Sequence, residues 1–138
     1  MRWPWQKKAP PHLLQGLWGE HHAVKLLKEK GYRILGKRVR MGTRDELDIV
    51  ARQENVLVFV EVKTRQNENF GRPISSVDRA KRHALSRAAI RYLVKLRKRP
   101  DYFRFDVVEV IGSEGVGVPT LRHIENAFTL DAGYRIPW

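Results

Sequence analysis

The stretch Val56–Lys63 reads VLVFVEVK, a run of β-branched and aromatic residues broken by one acid and closed by one base. It is the strongest strand signal in the chain. A second strand, Glu46–Arg52, precedes it with only Gln53, Glu54 and Asn55 between. So short a connection predicts an antiparallel hairpin. With Glu54-Asn55 as a two-residue turn, Val50 pairs with Phe59, Asp48 stands opposite Glu61 and Glu46 stands opposite Lys63.

The rest of the chain arranges itself around this hairpin. A helix is predicted over Leu13–Lys30, with Gly31 as the residue that ends it and Lys28 and Lys30 complementing its negative end. Leu17, Ala23, Val24 and Leu27 share one face of that helix, and Glu20 falls among them. A carboxylate among apolar residues is unfavourable unless something pairs with it. Two readings of Glu20 stay open, a partly exposed rim position and a buried ligand or acid. Tyr32–Arg40 reads as a strand and Met41–Asp45 as a loop.

Thr64–Pro73 is a polar loop containing Gly71. Ser75 and Asp78 fit a capping box that opens a second helix running to Lys98, and Pro100 disfavours its continuation. Val77, Ala80, Ala84, Ala88, Tyr92, Leu93 and Leu96 form its apolar stripe. Lys81 falls inside that stripe, either reaching a site or snorkelling past the core. A strand at Phe103–Ile111, a Gly-rich turn over Gly112–Pro119 and a short strand at Leu121–Ile124 complete the order α-β-β-β-α-β-β. That order predicts an α/β sandwich around a mixed sheet. The domain spans residues 13–130, after an arm at 1–12 carrying Trp3 and Trp5 and before a tail at 131–138.

Composition narrows the partners. Among 138 residues, 27 Lys and Arg oppose 15 Asp and Glu, a formal net charge of +12. The surplus is local. Asp78–Arg99 holds nine bases and one acid, and Arg33–Arg44 holds five bases and no acid. Such patches favour an anionic partner, nucleic acid before acidic membrane. The absence of cysteine excludes disulfides, Cys-ligated metals and thiol catalysis. There is neither an apolar run long enough to span a bilayer nor a signal-peptide pattern, so a cytoplasmic location is expected.

Directly opposed side chains in a hairpin have Cβ atoms about 4.5–5.5 Å apart. Asp48 and Glu61 at that separation repel and raise one another's pKa. A divalent cation resolves the conflict, since Mg²⁺ prefers carboxylate oxygens. Glu61 and Lys63 share a face by the period of two, which puts an amine beside the carboxylates. A register slip of one residue would instead separate Asp48 from Glu61. His21 and His22 point away from Glu20 on the helix and read as ordinary exposed histidines.

These residues resemble a known pattern. Gly19-Glu20, Glu46-Leu47-Asp48, Glu61-Val62-Lys63-Thr64-Arg65, Phe70-Gly71, the Lys81 helix, Arg104 to Val108 and His123 to Phe128 are similar to the YraN family of small endonuclease-like proteins, over residues 16–128. The resemblance implies a restriction-endonuclease-like fold of the PD-(D/E)XK superfamily, akin to archaeal Holliday junction resolvases. It implies Glu20, Asp48 and Glu61 as ligands of Mg²⁺ or Mn²⁺, with the Val62 carbonyl as a further ligand, and Lys63 as the group that positions the attacking water. It implies a nuclease, or a binding module of the same fold, acting on nucleic acid, DNA before RNA, and a homodimer. Arg65, Arg79, Lys81 and Arg82 are the expected backbone contacts, and Glu46 adds a further acid. In the family a glycine usually stands where this chain has Asp45, which predicts an additional acid next to the site.

Overall fold

The computed structural model describes residues 9–136. Helix α1 (Pro11–Glu29) leads into strands β1 (Arg33–Met41), β2 (Asp45–Gln53) and β3 (Val56–Arg65). A 3₁₀ turn (Pro73–Ser76) and helix α2 (Arg79–Val94) follow, then β4 (Tyr102–Ser113) and β5 (Val116–Phe128). The strands form one sheet in the order β1-β2-β3-β4-β5. Only β3 and β4 run parallel, and α2 is the crossover between them.

β3 sits in the middle of the sheet, and both of its faces are covered. Leu57 and Phe59 join a core with Val77, Leu85, Ala88, Ala89 and Leu93 from the α2 side. Val58 and Val60 join a second core with Ala23 and Leu27 of α1. Burial on both faces is why VLVFV is apolar without alternation. The fold is a helix–sheet–helix sandwich of the restriction-endonuclease-like kind.

α1 begins at Pro11, two residues earlier than expected, because proline is well suited to the first helical turn. Its end follows the expectation. Gly31 has φ +88°, its N–H donates to the Lys28 carbonyl, and the Tyr32 N–H reaches Leu27 O. Trp3 and Trp5 lie outside the described residues. The buried face of α1 is Gly19, Ala23 and Leu27, whereas Leu17 is exposed. The stripe is therefore rotated from the one expected, and Glu20 stands at its edge. Gly19 is where α1 meets β3 most closely, since a Cβ built there would lie 1.8 Å from Thr64 Oγ1. Gly19→Ala should lower stability by about 1–3 kcal/mol through overpacking, read as a shift of the urea midpoint.

α2 departs from expectation at both ends. Asp78, not Ser75, is its N-cap, with its carboxylate accepting the Lys81 N–H at 2.9 Å. Asp caps as well as Ser, and the residues before it turn separately as a 3₁₀ segment. The helix stops at Val94, not Lys98, one residue after its last buried side chain, Leu93. Its buried stripe is Leu85, Ala88, Ala89 and Leu93, while Ala80 is exposed. β5 is far longer than the expected Leu121–Ile124. Glu114-Gly115 makes a tight turn between Ser113 and Val116, so the Gly-rich stretch after it is strand. Pro119 is tolerated because β5 is an edge. After β5, Asp131 and Tyr134 contact His83 of α2 at 3.1 Å each. Among the described residues, no helix is long and apolar enough to cross a membrane.

Candidate active site

The β2–β3 ladder has the expected register from Gln53↔Val56 to Ile49↔Val60, with Val50 opposite Phe59. It then stops. Asp48/Glu61 and Glu46/Lys63 are not ladder partners, because β2 parts from β3 at this point. Asp48 Oδ2 accepts the Val62 N–H at 2.9 Å, so a side chain replaces the missing backbone partner. Arg38, which faces this point, has φ +50°, and Leu47 joins the α2-side core together with Val50. Strict alternation would place those two residues on opposite faces.

Glu61 is the least satisfied group of the site. It is 4% exposed. Its Oε1 lies 3.3 Å from Lys81 Nζ and 3.6 Å from Lys63 Nζ. Its Oε2 is the one buried side-chain oxygen or nitrogen among the described residues without a hydrogen-bond partner. Burial pushes its pKa up to about 7, helped by the Asp48 charge and opposed by Lys81 and Lys63. Lys81 thus reaches Glu61 from α2.

Glu20, Glu46, Asp48, Glu61, Val62, Lys63 and Arg65 all line one open cleft of about 380 Å³. Glu20 is half-buried and its Oε2 accepts from Arg38 Nε at 3.2 Å. Burial, then Asp48, raises its pKa against the pull of Arg38. Among the described residues, no set of three or more His, Asp or Glu side chains is gathered closely enough to hold a metal ion. The residues still fit a hard divalent cation in a narrower form, as Asp48 and Glu61, which line the cleft together with Val62, because Mg²⁺ is commonly bound by one or two carboxylates and keeps several waters. The orphaned Glu61 Oε2 is the feature that a cation would satisfy.

The expected backbone contacts divide. Arg65 is exposed at the cleft, and Arg79 is exposed at the start of α2. Arg82 is drawn back onto its own fold, its Nε donating to Val77 O at 3.1 Å and its guanidinium lying over the Phe128 ring. Asp45 does not add charge to the cleft as expected. It is buried and takes a bidentate pair from Arg87, both bonds 2.7 Å, which lowers its pKa. Asp45 anchors the β1–β2 loop to α2. Arg38 is the cleft residue that sequence reasoning missed, since nothing in a strand of alternating bases signals a positive φ.

A mixed sheet between two helices, with a carboxylate cleft where its second and third strands part, defines a restriction-endonuclease-like domain. Residues 19–110 match the model of the Uncharacterised protein family UPF0102, and the chain belongs to that family. It is 44% identical over 110 residues to the UPF0102 protein of Symbiobacterium thermophilum, covering 80% of this chain and 92% of that one. It is 41% identical over 122 residues to the UPF0102 protein of Chlorobium phaeobacteroides, covering 86% of this chain and 95% of that one. The corresponding figures for the UPF0102 protein of Clostridioides difficile are 40% over 114 residues, 83% and 96%.

Proposed function

We propose that the chain is a metal-dependent nuclease that hydrolyses phosphodiester bonds in branched or otherwise structured DNA. The observation that carries this reading is Glu61, a buried carboxylate with one oxygen unpartnered, set beside Asp48 and two lysines in an open cleft. Stability alone gives no reason to keep two acids together there. Asp48, Glu61 and the Val62 carbonyl are the residues that would hold Mg²⁺ or Mn²⁺. When bound, the cation supplies Lewis-acid stabilisation of phosphoryl charge and a more acidic water.

The protein's own groups do the rest. Lys63 orients the attacking water by hydrogen bonding. Lys81 offers positive charge to the phosphate oxygens. Arg65 and Arg79 hold the backbone without reading bases, so substrate shape sets selectivity. Glu20 becomes a third carboxylate when Arg38 is drawn off it, as a phosphate backbone in the cleft would do.

A second reading, a binding module of the same fold with little turnover, is favoured by one observation. Glu20 is engaged by Arg38, and among the described residues no three-carboxylate group is assembled. End-labelled four-way, flap and linear DNA incubated with Mg²⁺, Mn²⁺ or EDTA separates the two. The nuclease cleaves only with metal and prefers the branched forms. Tight binding without cleavage under any metal supports the module.

A further inference from the structure

Phe70 is fully exposed, with a relative accessibility of 101%, although it belongs to a well-built loop. The loop leaves β3 directly after Arg65, which lines the cleft. Its far side is anchored by Glu109, a fully buried carboxylate that accepts Arg72 Nη2 and the Ile74 N–H, each at 2.7 Å. Arg122 clamps the loop from β5, bonding Glu109 at 2.8 Å and also Glu68. Within the loop, the Asn69 N–H reaches Asn67 Oδ1, and Gly71 closes the turn at φ +106° with its N–H on Glu68 O. A buried ion-pair anchor therefore holds up a loop whose tip is a bare aromatic ring.

We infer that Phe70 is a stacking wedge for an unpaired base, and that the substrate class of the cleft is DNA with unstacked bases next to a duplex. The inference rests on the nuclease or nucleic-acid-binding reading above and deepens it. The ring's neighbours in the chain are Asn67, Glu68, Asn69, Gly71 and Arg72, which are polar or small. A single ring among amides and charges lacks the contiguous apolar area of a protein-docking patch. It suits a nucleobase, whose face stacks on an aromatic ring whatever the base and whose backbone is met by nearby arginines. Aromatic and apolar wedges of this kind favour steps that are already open.

The chain sets the reach. Phe70 is seven residues beyond Lys63, at most about 25 Å along an extended backbone. That corresponds to about seven nucleotides at 3.4 Å each. The stacked base thus lies within about seven nucleotides of the scissile phosphate, so the wedge measures the distance from a branch to the cut.

Fluorescence anisotropy with flap, four-way and fully paired linear DNA tests this on the full chain, using wild type, Phe70→Ala, Phe70→Leu and Phe70→Trp. The expected result is a loss of about 5- to 150-fold in affinity for the branched forms in Phe70→Ala, the range of base–aromatic stacking. Phe70→Leu stays weak, Phe70→Trp recovers, and linear duplex affinity is unchanged throughout. Equal affinity of wild type and Phe70→Ala for branched DNA overturns the wedge while leaving the cleft's reading intact, and points instead to a protein partner for the ring. Recovery by Leu overturns stacking in favour of general apolar contact. Wild type that binds none of these DNAs overturns both the wedge and the reading beneath it.

Discussion

Glu61→Gln should abolish metal-dependent cleavage and at the same time stabilise the chain at pH 8. The catalytic loss is about a thousandfold, since a cation at a phosphoryl oxygen contributes several kcal/mol of transition-state stabilisation. The stability gain follows from the direction of the pKa shift. Glu61 rises from 4.5 in the unfolded chain to about 7 in the fold. A carboxyl with a raised folded pKa opposes folding once it ionises. Its penalty is absent below about pH 4.5, grows as the pH rises to about 7, and is constant above that. The full shift corresponds to about 3 kcal/mol at most. That shift is already net of the attraction of Lys81 and Lys63 for the ionised carboxylate. Urea unfolding of both proteins at pH 4 and pH 8 checks this. The two should coincide at pH 4, where Gln and protonated Glu are near-isosteric, and Glu61→Gln should be the more stable at pH 8. A wild type that is the more stable at pH 8 would sink the account of a functional carboxylate kept against stability.

Asp106→Ala should destabilise the chain by about 3–5 kcal/mol, the loss typical of removing one partner of a buried ion pair. Asp106 is fully buried. It accepts Arg104 through both oxygens at 2.9 and 3.1 Å, His123 Nε2 at 2.7 Å and the Asn126 N–H at 2.9 Å. Alanine strands all three donors at once, and His123 is only 3% exposed. Arg104 in turn holds Tyr32, the residue that closes α1. The carboxyl's pKa is lowered because these donors outweigh its burial. Its contribution is therefore present above the ordinary aspartate pKa and lost as the pH falls through the depressed one. Thermal unfolding across pH 2–6 should show wild type converging on the variant at the acid end. A variant within 1 kcal/mol of wild type at pH 6 would contradict this role.

The central hairpin was legible because turn length and the period of two fix register together. Val50 does face Phe59 as the two-residue turn requires. The parting of the strands at Asp48 was not legible, because nothing in the local sequence marks that the ladder ends at Ile49↔Val60. The helical stripes were rotated for a related reason. The wheel weights Leu17 and Ala80 by side chain, but a sandwich buries whichever face meets the sheet, here the one carrying Gly19 and Ala23. β5 is longer than expected because Gly117 and Pro119, which look like turn, are accepted by an edge strand, while the turn itself takes only Glu114-Gly115. Asp45 was assigned to the cleft from its neighbours in the chain. Its partner, Arg87, lies 42 residues away on α2, and pairs that distant leave no local signal. The candidate carboxylates were legible for the opposite reason, since acids inside an apolar hairpin stand out from the pattern around them.

The central claim is that Asp48 and Glu61 are held together because a divalent cation completes them. Titration calorimetry with Mn²⁺ at pH 6.5, in two buffers of different ionisation enthalpy, tests it without any nucleic acid. Near a Glu61 pKa of about 7, metal binding should expel part of a proton, because the ligand must be ionised. Saturable binding with proton release in wild type, lost in Asp48→Ala and Glu61→Gln, is the predicted result. No binding, or binding that survives both substitutions unchanged, would contradict it.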